Sequence, residues 1–153
     1  MIKYTKAKLS DIQAMQDLVL DEVKKGIILF RSADEMATNI RSYILAKDDD
    51  DNIVGFGALH FHAFDLAEVR SLIVSDKCRG LGIGKAIVEE LLNEGKALDV
   101  KKIFTLTYVK AFFESIGFEE IPKESLPAHK IWADCIKCKH FPVCDEIALI
   151  KTI

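Results

Sequence analysis

The stretch that decides the fold reads Arg79-Gly80-Leu81-Gly82-Ile83-Gly84-Lys85 in a chain of 153 residues. An apolar run at 72–74 precedes it, and apolar residues recur after it at offsets typical of one helix face: Ile83, Ala86, Ile87 and Leu91. The pattern predicts a strand, a glycine loop and a helix. Glycines at every second position from 80 to 84 let backbone N–H groups turn toward one point, and the helix N-terminus adds a partial positive charge. Such a loop is suited to binding phosphate.

Two common phosphate loops do not fit this spacing. A Walker A loop would need glycine at Arg79 and a hydroxyl residue at Ala86. A dinucleotide fingerprint counted from Gly80 would need glycine at Lys85. The pattern that fits is Arg-x-x-Gly-x-Gly, beginning at Arg79. Taken alone, the motif leaves open a simple glycine turn that binds nothing.

Composition limits the other classes of function. With 50% hydrophobic residues, the chain is expected to form one domain over 1–153 with a sizeable core. Its net charge of −3 argues against a nucleic-acid partner. No apolar run reaches the length of a membrane span and no signal-peptide core is visible, so we expect a cytoplasmic protein without a membrane partner.

The remaining patterns predict the order of elements. A strand at 2–7 leads to a helix over about 11–25, with a capping box at Ser10 and Gln13, and a second capping box at Ser32 and Glu35 begins another helix. The acidic run 48–52 is expected to be a solvated hairpin turn. The other predicted elements are strands at 42–47, 53–62, 66–74, 102–107, 118–121 and 146–153, a helix from the glycine loop to about 98, and a short helix ending at Gly117.

This order, together with the glycine loop and Phe-Phe-Glu-x-x-Gly-Phe at 112–118, resembles the GNAT acetyltransferase superfamily over nearly the whole chain. The resemblance implies an α/β (α+β) fold, with a mixed, mostly antiparallel sheet flanked by helices on both faces. It also implies acetyl-CoA as co-substrate, and direct transfer of the acetyl group to a small-molecule amine in a ternary complex.

The resemblance further implies the residues that hold acetyl-CoA. The glycine loop would hold the pyrophosphate, and the preceding strand would pair with the pantetheine arm, with an N–H of Ile73 or Val74 facing the thioester oxygen. The implied cofactor-binding residues are Leu72, Ile73, Val74, Arg79, Gly80, Leu81, Gly82, Ile83, Gly84, Lys85 and Phe113. Phe113 stands in the helix where many members carry the tyrosine that protonates the departing thiolate.

Glu68 is the candidate general base. Glu68 and Arg70 share one face of a strand, and His60 and His62 share a face of its neighbour, so the sheet register could bring a histidine to Glu68. A solvated group of charged side chains is the alternative. Tyr108 is the nearest phenol to the short helix and is the candidate acid, with simple packing at a strand end as the alternative.

The apolar stretch 26–32, which ends in Arg31-Ser32, resembles amino-acid N-acetyltransferases of the N-acetylglutamate synthase type. That resemblance implies that Arg31 contacts the carboxylate of glutamate, and Arg70 is a second candidate cation. The pair Asp145-Glu146 departs from the long members and leaves a basic acceptor such as arginine open. Other open readings are a polyamine or protein N-terminus as acceptor, a surface role for Arg31, and a non-catalytic acetyl-CoA-binding regulator.

The segment at about 122–145 is predicted to be an insertion that contains cysteines. Cys135, Cys138, His140 and Cys144 are of the types that bind zinc or an iron–sulfur centre. Four ligands within ten residues would form a tight cage, so we expect no metal and interpret the segment as a lid over the acceptor. Metal binding and a homodimer both stay open.

Overall fold

A computed structural model of the chain describes residues 1–126 and 146–153. Its strands are β1 (Lys3–Lys6), β2 (Tyr43–Lys47), β3 (Ile53–Ala63), β4 (Leu66–Val74), β5 (Lys102–Thr107), β6 (Glu119–Ile121) and β7 (Ile147–Thr152). Its helices are α1 (Ile12–Lys24), α2 (Ala33–Thr38), α3 (Ile83–Ala97) and α4 (Lys110–Glu114). The sheet has the order β1-β2-β3-β4-β5-β7-β6, and β4–β5 is its parallel pair. The predicted fold class is confirmed.

The core consists of two apolar clusters, one on each face of the sheet. On one face α3 packs through Ile87, Val88 and Leu91 against strand residues such as Val69. On the other face α1 and α2 contribute Met15 and Met36, which pack against the opposite side of β2, β3 and β4. Because strand side chains alternate between faces, β2, β3 and β4 each supply residues to both clusters.

The predicted helix signals match the structure at α2 and differ at α1. The Ser32 hydroxyl accepts a hydrogen bond from the Glu35 N–H at 3.1 Å, as its capping spacing predicts. At α1 a 3₁₀ turn, Leu9–Asp11, comes first, and Asp11 Oδ2 accepts the Lys8 N–H at 2.8 Å. The predicted capping box of Ser10 and Gln13 is therefore replaced by a hydrogen bond to Asp11, one residue after Ser10.

The end of α4 has the hydrogen bonds of a Schellman motif. The Gly117 N–H donates to the Glu114 carbonyl at 3.0 Å and the Phe118 N–H donates to the Phe113 carbonyl at 3.1 Å, while Gly117 has φ +100°. This geometry confirms that Gly117 ends the short helix.

The acidic run 48–52 forms the predicted hairpin turn. Asp48 Oδ1 accepts the N–H groups of Asn52 and Asp50, both at 2.9 Å. These hydrogen bonds, led by that from Asn52, hold the pKa of Asp48 below its ordinary value. The carboxylates of Asp49 and Asp51 pair with the N-terminus and Lys3 at the exposed surface.

The feature that positions the site is the divergence of β4 and β5. Their pairing covers Leu66 to Glu68 against Lys102 to Phe104, and the Thr105 hydroxyl then donates to the Val69 carbonyl at 2.8 Å. Past this point the described residues show no further β4–β5 ladder. Ser71 has φ +58°, at an irregularity where Phe56 pairs with Ile73 but Ala58 pairs with Arg70. The sheet therefore opens beside a β-bulge.

Within residues 1–126 and 146–153, no helix has the length and apolar character needed to span a bilayer.

Candidate active site

The glycine loop lies at the exposed N-terminus of α3. Gly80 and Gly82 have φ +85° and +76°, and Gly82 is the N-cap residue of the helix. A Cβ placed on either glycine would have no atom within 4 Å, so the space over the loop is open. The first N–H groups of a helix have no partner within the helix. The loop therefore leaves open space in front of a helix N-terminus.

Arg79 begins the motif and lies at the rim of the loop. Its Nε atom is 3.1 Å from Asp76 Oδ1 and 3.5 Å from the Val74 carbonyl oxygen. The side chain is 60% exposed, so its charge is available to a ligand at the surface. Leu81 and Lys85 are exposed as well, whereas Ile83 is buried beneath the helix and anchors the loop.

The aromatic pair of α4 is divided between the loop and the core. A Cβ placed on Gly84 would lie 3.5 Å from Phe112 Cζ, so Phe112 is the ring beside the glycine loop. Phe113 is 2% exposed and packs edge-on against Phe112 and Phe118, with centroid distances of 5.0 and 5.3 Å. The family pattern points to Phe113, whereas the structure places Phe112 beside the loop and Phe113 in the core. Which of these two adjacent rings faces the loop is decided by how α4 packs against α3, which the sequence pattern does not show.

The open edge of β4 carries the residues predicted to contact the pantetheine arm. Leu72 and Val74 pack against the α3 cluster, while Ile73 belongs to the cluster beneath α1 and α2. Their side chains are thus held on both faces of the sheet. An extended ligand between β4 and β5 would meet their backbone, as an added strand does.

Glu68 is a buried carboxylate beside a histidine. Its side chain is 2% exposed, and Oε1 lies 2.9 Å from His62 Nε2, whose ring is also 2% exposed. In the sheet Glu68 pairs with His60 on β3 and with Phe104 on β5. Of the two candidate histidines, His62 is thus hydrogen-bonded to Glu68, although His60 is the direct cross-strand neighbour.

Tyr108 directly follows β5 and is 40% exposed. It is four residues beyond Phe104, the cross-strand partner of Glu68, which is about 13 Å along an extended strand. The structure therefore separates Glu68 and Tyr108, with the start of the β4–β5 opening between them.

A cavity of about 300 Å³ lies beneath the α1–α2 connection. It extends from Arg31 to the bulged residue Ser71, and Tyr43 and Phe56 form part of its wall. The other lining residues are Gln13, Gln16, Asp17, Val19, Leu20, Val23, Ile28, Leu29, Phe30 and Met36. The cavity is therefore largely apolar, with polar groups at a few points, as ligand sites commonly are.

The two candidate substrate-binding arginines act on the same region. The side chain of Arg31 is 10% exposed, and its Nη1 donates to Glu35 Oε2 at 2.8 Å. Burial raises the pKa of the Tyr43 phenol, and the positive charges of Arg31 and Arg70 oppose this rise. Arg70 pairs in the sheet with Ala58, which belongs to the cluster beneath α1 and α2, so it lies on the same side of the sheet as Arg31.

Two features of this region had weak or no sequence signals. Ser71 is a non-glycine residue in the left-handed region, which sequence patterns do not reveal. The His62–Glu68 pairing depends on the sheet register.

The described residues contain no group of three or more potential metal ligands, and Cys135, Cys138, His140 and Cys144 lie outside them.

Comparisons with known proteins agree with this geometry. The model of the acetyltransferase (GNAT) family matches residues 12–118. An uncharacterized N-acetyltransferase of Chlorobaculum tepidum is 38% identical over 151 residues, covering 96% of this chain and 94% of that protein. An amino-acid acetyltransferase of Mycobacterium tuberculosis is 35% identical over 118 residues, covering 76% and 67% of the two chains.

Solved structures show the same fold. A Mycobacterium tuberculosis protein in complex with CoA and a second ligand superposes with a TM-score of 0.84 at 26% identity, covering 99% of both chains. N-acetylglutamate synthase of Neisseria gonorrhoeae, complexed with coenzyme A and N-acetyl-glutamate, has a TM-score of 0.87 at 20% identity. This chain is covered to 99% but spans only 35% of that longer protein. With its glycine loop, its opened sheet and the family match over most of its length, the chain belongs to the GNAT acetyltransferase family and is an acetyl-CoA-dependent N-acetyltransferase.

Proposed function

We propose that the protein transfers the acetyl group of acetyl-CoA to the α-amino group of an amino acid, with L-glutamate as the preferred acceptor. The observation that carries this proposal is the cavity that joins Arg31 to the β-bulge at Ser71. It provides a place for a small acceptor between a fixed cation and the opening of the sheet. The names of the mycobacterial and gonococcal relatives support the same acceptor class.

In this proposal acetyl-CoA binds along the opening between β4 and β5. The backbone of residues 80–84 and the N-terminus of α3 bind the diphosphate, with Arg79 at the rim. A groove of about 280 Å³ between α3 and α4, lined by Lys85 and Lys96 among others, accepts the nucleotide end. Phe112, rather than Phe113, contacts the ligand beside Gly84.

The thioester then lies near the bulge, where an N–H of Ile73 or Val74 donates to its oxygen. One such donor lowers the barrier by roughly 3–4 kcal/mol because it binds the oxyanion more strongly than the carbonyl. The amine attacks the thioester carbon, the tetrahedral intermediate collapses, and the CoA sulfur leaves. Holding both substrates together contributes a comparable share of the rate enhancement.

Glu68 is the proposed general base, and it takes the ammonium proton through water. Water is invoked because Glu68 precedes the bulge by about 10 Å along β4, which is longer than a hydrogen bond. Tyr108 is the proposed acid for the departing thiolate.

Arg31 and Arg70 are the proposed partners of the acceptor's carboxylates. A guanidinium can bind a carboxylate through two parallel hydrogen bonds, which orients the acceptor as well as attracting it. Glu35 already uses Nη1 of Arg31, so a substrate carboxylate would share the guanidinium with it or displace it. With glutamate as acceptor, the reaction would begin arginine biosynthesis.

The test is a panel of free amino acids assayed for CoA release. We expect the highest kcat/KM for glutamate, and no activity with glutamate would refute the preferred acceptor. Arginine is the second candidate, because Asp145-Glu146 adds negative charge to the sequence near the final strand. Polyamines and a peptide with a free N-terminus complete the panel.

Three further expectations belong to this proposal. We propose a single domain over 1–153 with a cysteine-containing insertion at about 122–145, a cytoplasmic location, and no nucleic-acid partner. Assembly as a homodimer is open to measurement by light scattering.

A further inference from the structure

The β3–β4 pair buries a second titratable group beside the proposed base. The side chain of His62 is 2% exposed. The centroid of its ring lies 5.4 Å from that of Phe104 and 4.8 Å from that of His60, which it meets edge-on. These two rings confine the imidazole. Its Nε2 is thereby held 2.9 Å from Glu68 Oε1, the carboxylate of the opposing strand.

We propose that His62 is a positioning residue that donates its Nε2–H to Glu68 and so fixes the ionised carboxylate for proton transfer. An ionised carboxylate only accepts hydrogen bonds, so a bond between these atoms requires the proton to be on His62 Nε2. Glu68, held in this orientation, receives the proton that water carries from the substrate ammonium. This inference rests on the proposed function in that Glu68 is the base.

The energetic reason is the burial of Glu68. Burying a carboxylate without hydrogen-bond donors is costly. When one donor is removed, the buried acceptor has lost its water without a hydrogen bond to compensate for it. His62 supplies a donor from a ring that is itself confined, so little freedom is lost when the bond forms. The charge of Glu68 and the direction of its carboxylate would therefore both change if His62 lost its donor.

His62→Gln and His62→Phe separate this role from packing. Phenylalanine preserves the ring between Phe104 and His60 but removes the donor, whereas glutamine removes the ring and keeps an N–H. A general base contributes about 10²- to 10⁴-fold to the rate. We expect His62→Phe to lose part of this contribution, so kcat should fall roughly tenfold to 100-fold while KM for acetyl-CoA stays unchanged. His62→Gln should recover much of the loss.

A double-mutant cycle tests whether the effect acts through Glu68. In a Glu68→Gln background, His62→Phe should cause no further fall in kcat, because residues that act as one unit are not additive. A fall of the same size in both backgrounds would overturn the proposal. So would a His62→Phe enzyme as active as the wild type, or a glutamine variant no better than the phenylalanine variant.

The wild-type protein gives a readout that does not depend on variants folding. Long-range ¹H–¹⁵N spectra distinguish a protonated from an unprotonated imidazole nitrogen, and we expect His62 Nε2 to carry a proton at neutral pH. An unprotonated Nε2 would mean that Glu68 is the donor and would overturn the proposal. The kinetics use whichever amine the wild type acetylates, so failure with glutamate refutes the preferred acceptor and leaves the test of His62 intact.

Discussion

Replacing Gly82 with alanine perturbs the proposed diphosphate site through backbone conformation alone. Gly82 has φ +76° and ψ 12°, and a Cβ there would meet no atom within 4 Å. The cost is therefore conformational, about 1–2 kcal/mol for an L-residue in the left-handed region. The loop either keeps this strain, with a methyl group facing the ligand, or relaxes and turns its N–H groups away.

The expected loss of CoA affinity follows from the hydrogen bonds involved. A hydrogen bond to a charged group is worth about 1.5–3 kcal/mol. Losing one bond to the diphosphate would raise the Kd for CoA roughly 10- to 150-fold. Calorimetric titration measures this Kd, and urea unfolding measures the loss of stability in the same variant.

Gly26→Ala is the matched control. Gly26 has φ +75°, nearly the same as Gly82, but it lies in the connection between α1 and α2. We expect Gly26→Ala to lose a similar free energy of unfolding and to bind CoA with the wild-type Kd. If Gly82→Ala also binds CoA with the wild-type Kd while losing stability, the loop does not bind the diphosphate.

Three further predictions test the acceptor site, the packing and the acidic turn. Arg31→Lys should raise KM for glutamate roughly 10- to 150-fold, because lysine cannot bind a carboxylate bidentately. The control Arg41→Lys, at an exposed position, should keep the wild-type KM. A wild-type KM in Arg31→Lys would contradict the role of Arg31. Gly57→Ala places a methyl 3.1–3.3 Å from three apolar side chains, so urea unfolding should show a loss of about 1–3 kcal/mol. Asp48 has a lowered pKa, so its stabilisation is present above the unfolded-state pKa and is lost as pH falls through the folded-state pKa. The stability difference between wild type and Asp48→Ala should therefore close in acid, and a difference that persists unchanged in acid would contradict this role of Asp48.

The sequence was most informative where a local interaction decides the structure. Ser32 caps α2 through a residue three positions away, and Gly117 ends α4 through bonds within one turn of helix. The hairpin at 48–52 likewise depends on one aspartate binding its own turn. The start of α1 shows the limit of this approach, because Asp11 accepts the Lys8 N–H across a 3₁₀ turn that the Ser10–Gln13 spacing did not predict.

The candidate site was predictable in its motifs and not in its register. The glycine loop is a continuous segment, so its residues follow from the sequence alone. The partner of Glu68 depends on how β3 pairs with β4, and the two histidines were both compatible with the strand pattern. The bulge at Ser71 and the contact of Phe112 with the loop arise from packing between distant segments.

The most direct test of the central claim is an NMR titration that follows the backbone amides of Gly80, Gly82 and Gly84. The claim is that these amides converge on a diphosphate. Saturating CoA should shift all three resonances, whereas pantetheine, which has no diphosphate, should leave them near their free positions while shifting residues of β4. Unchanged glycine resonances at saturating CoA, or equal shifts with pantetheine, would contradict the claim.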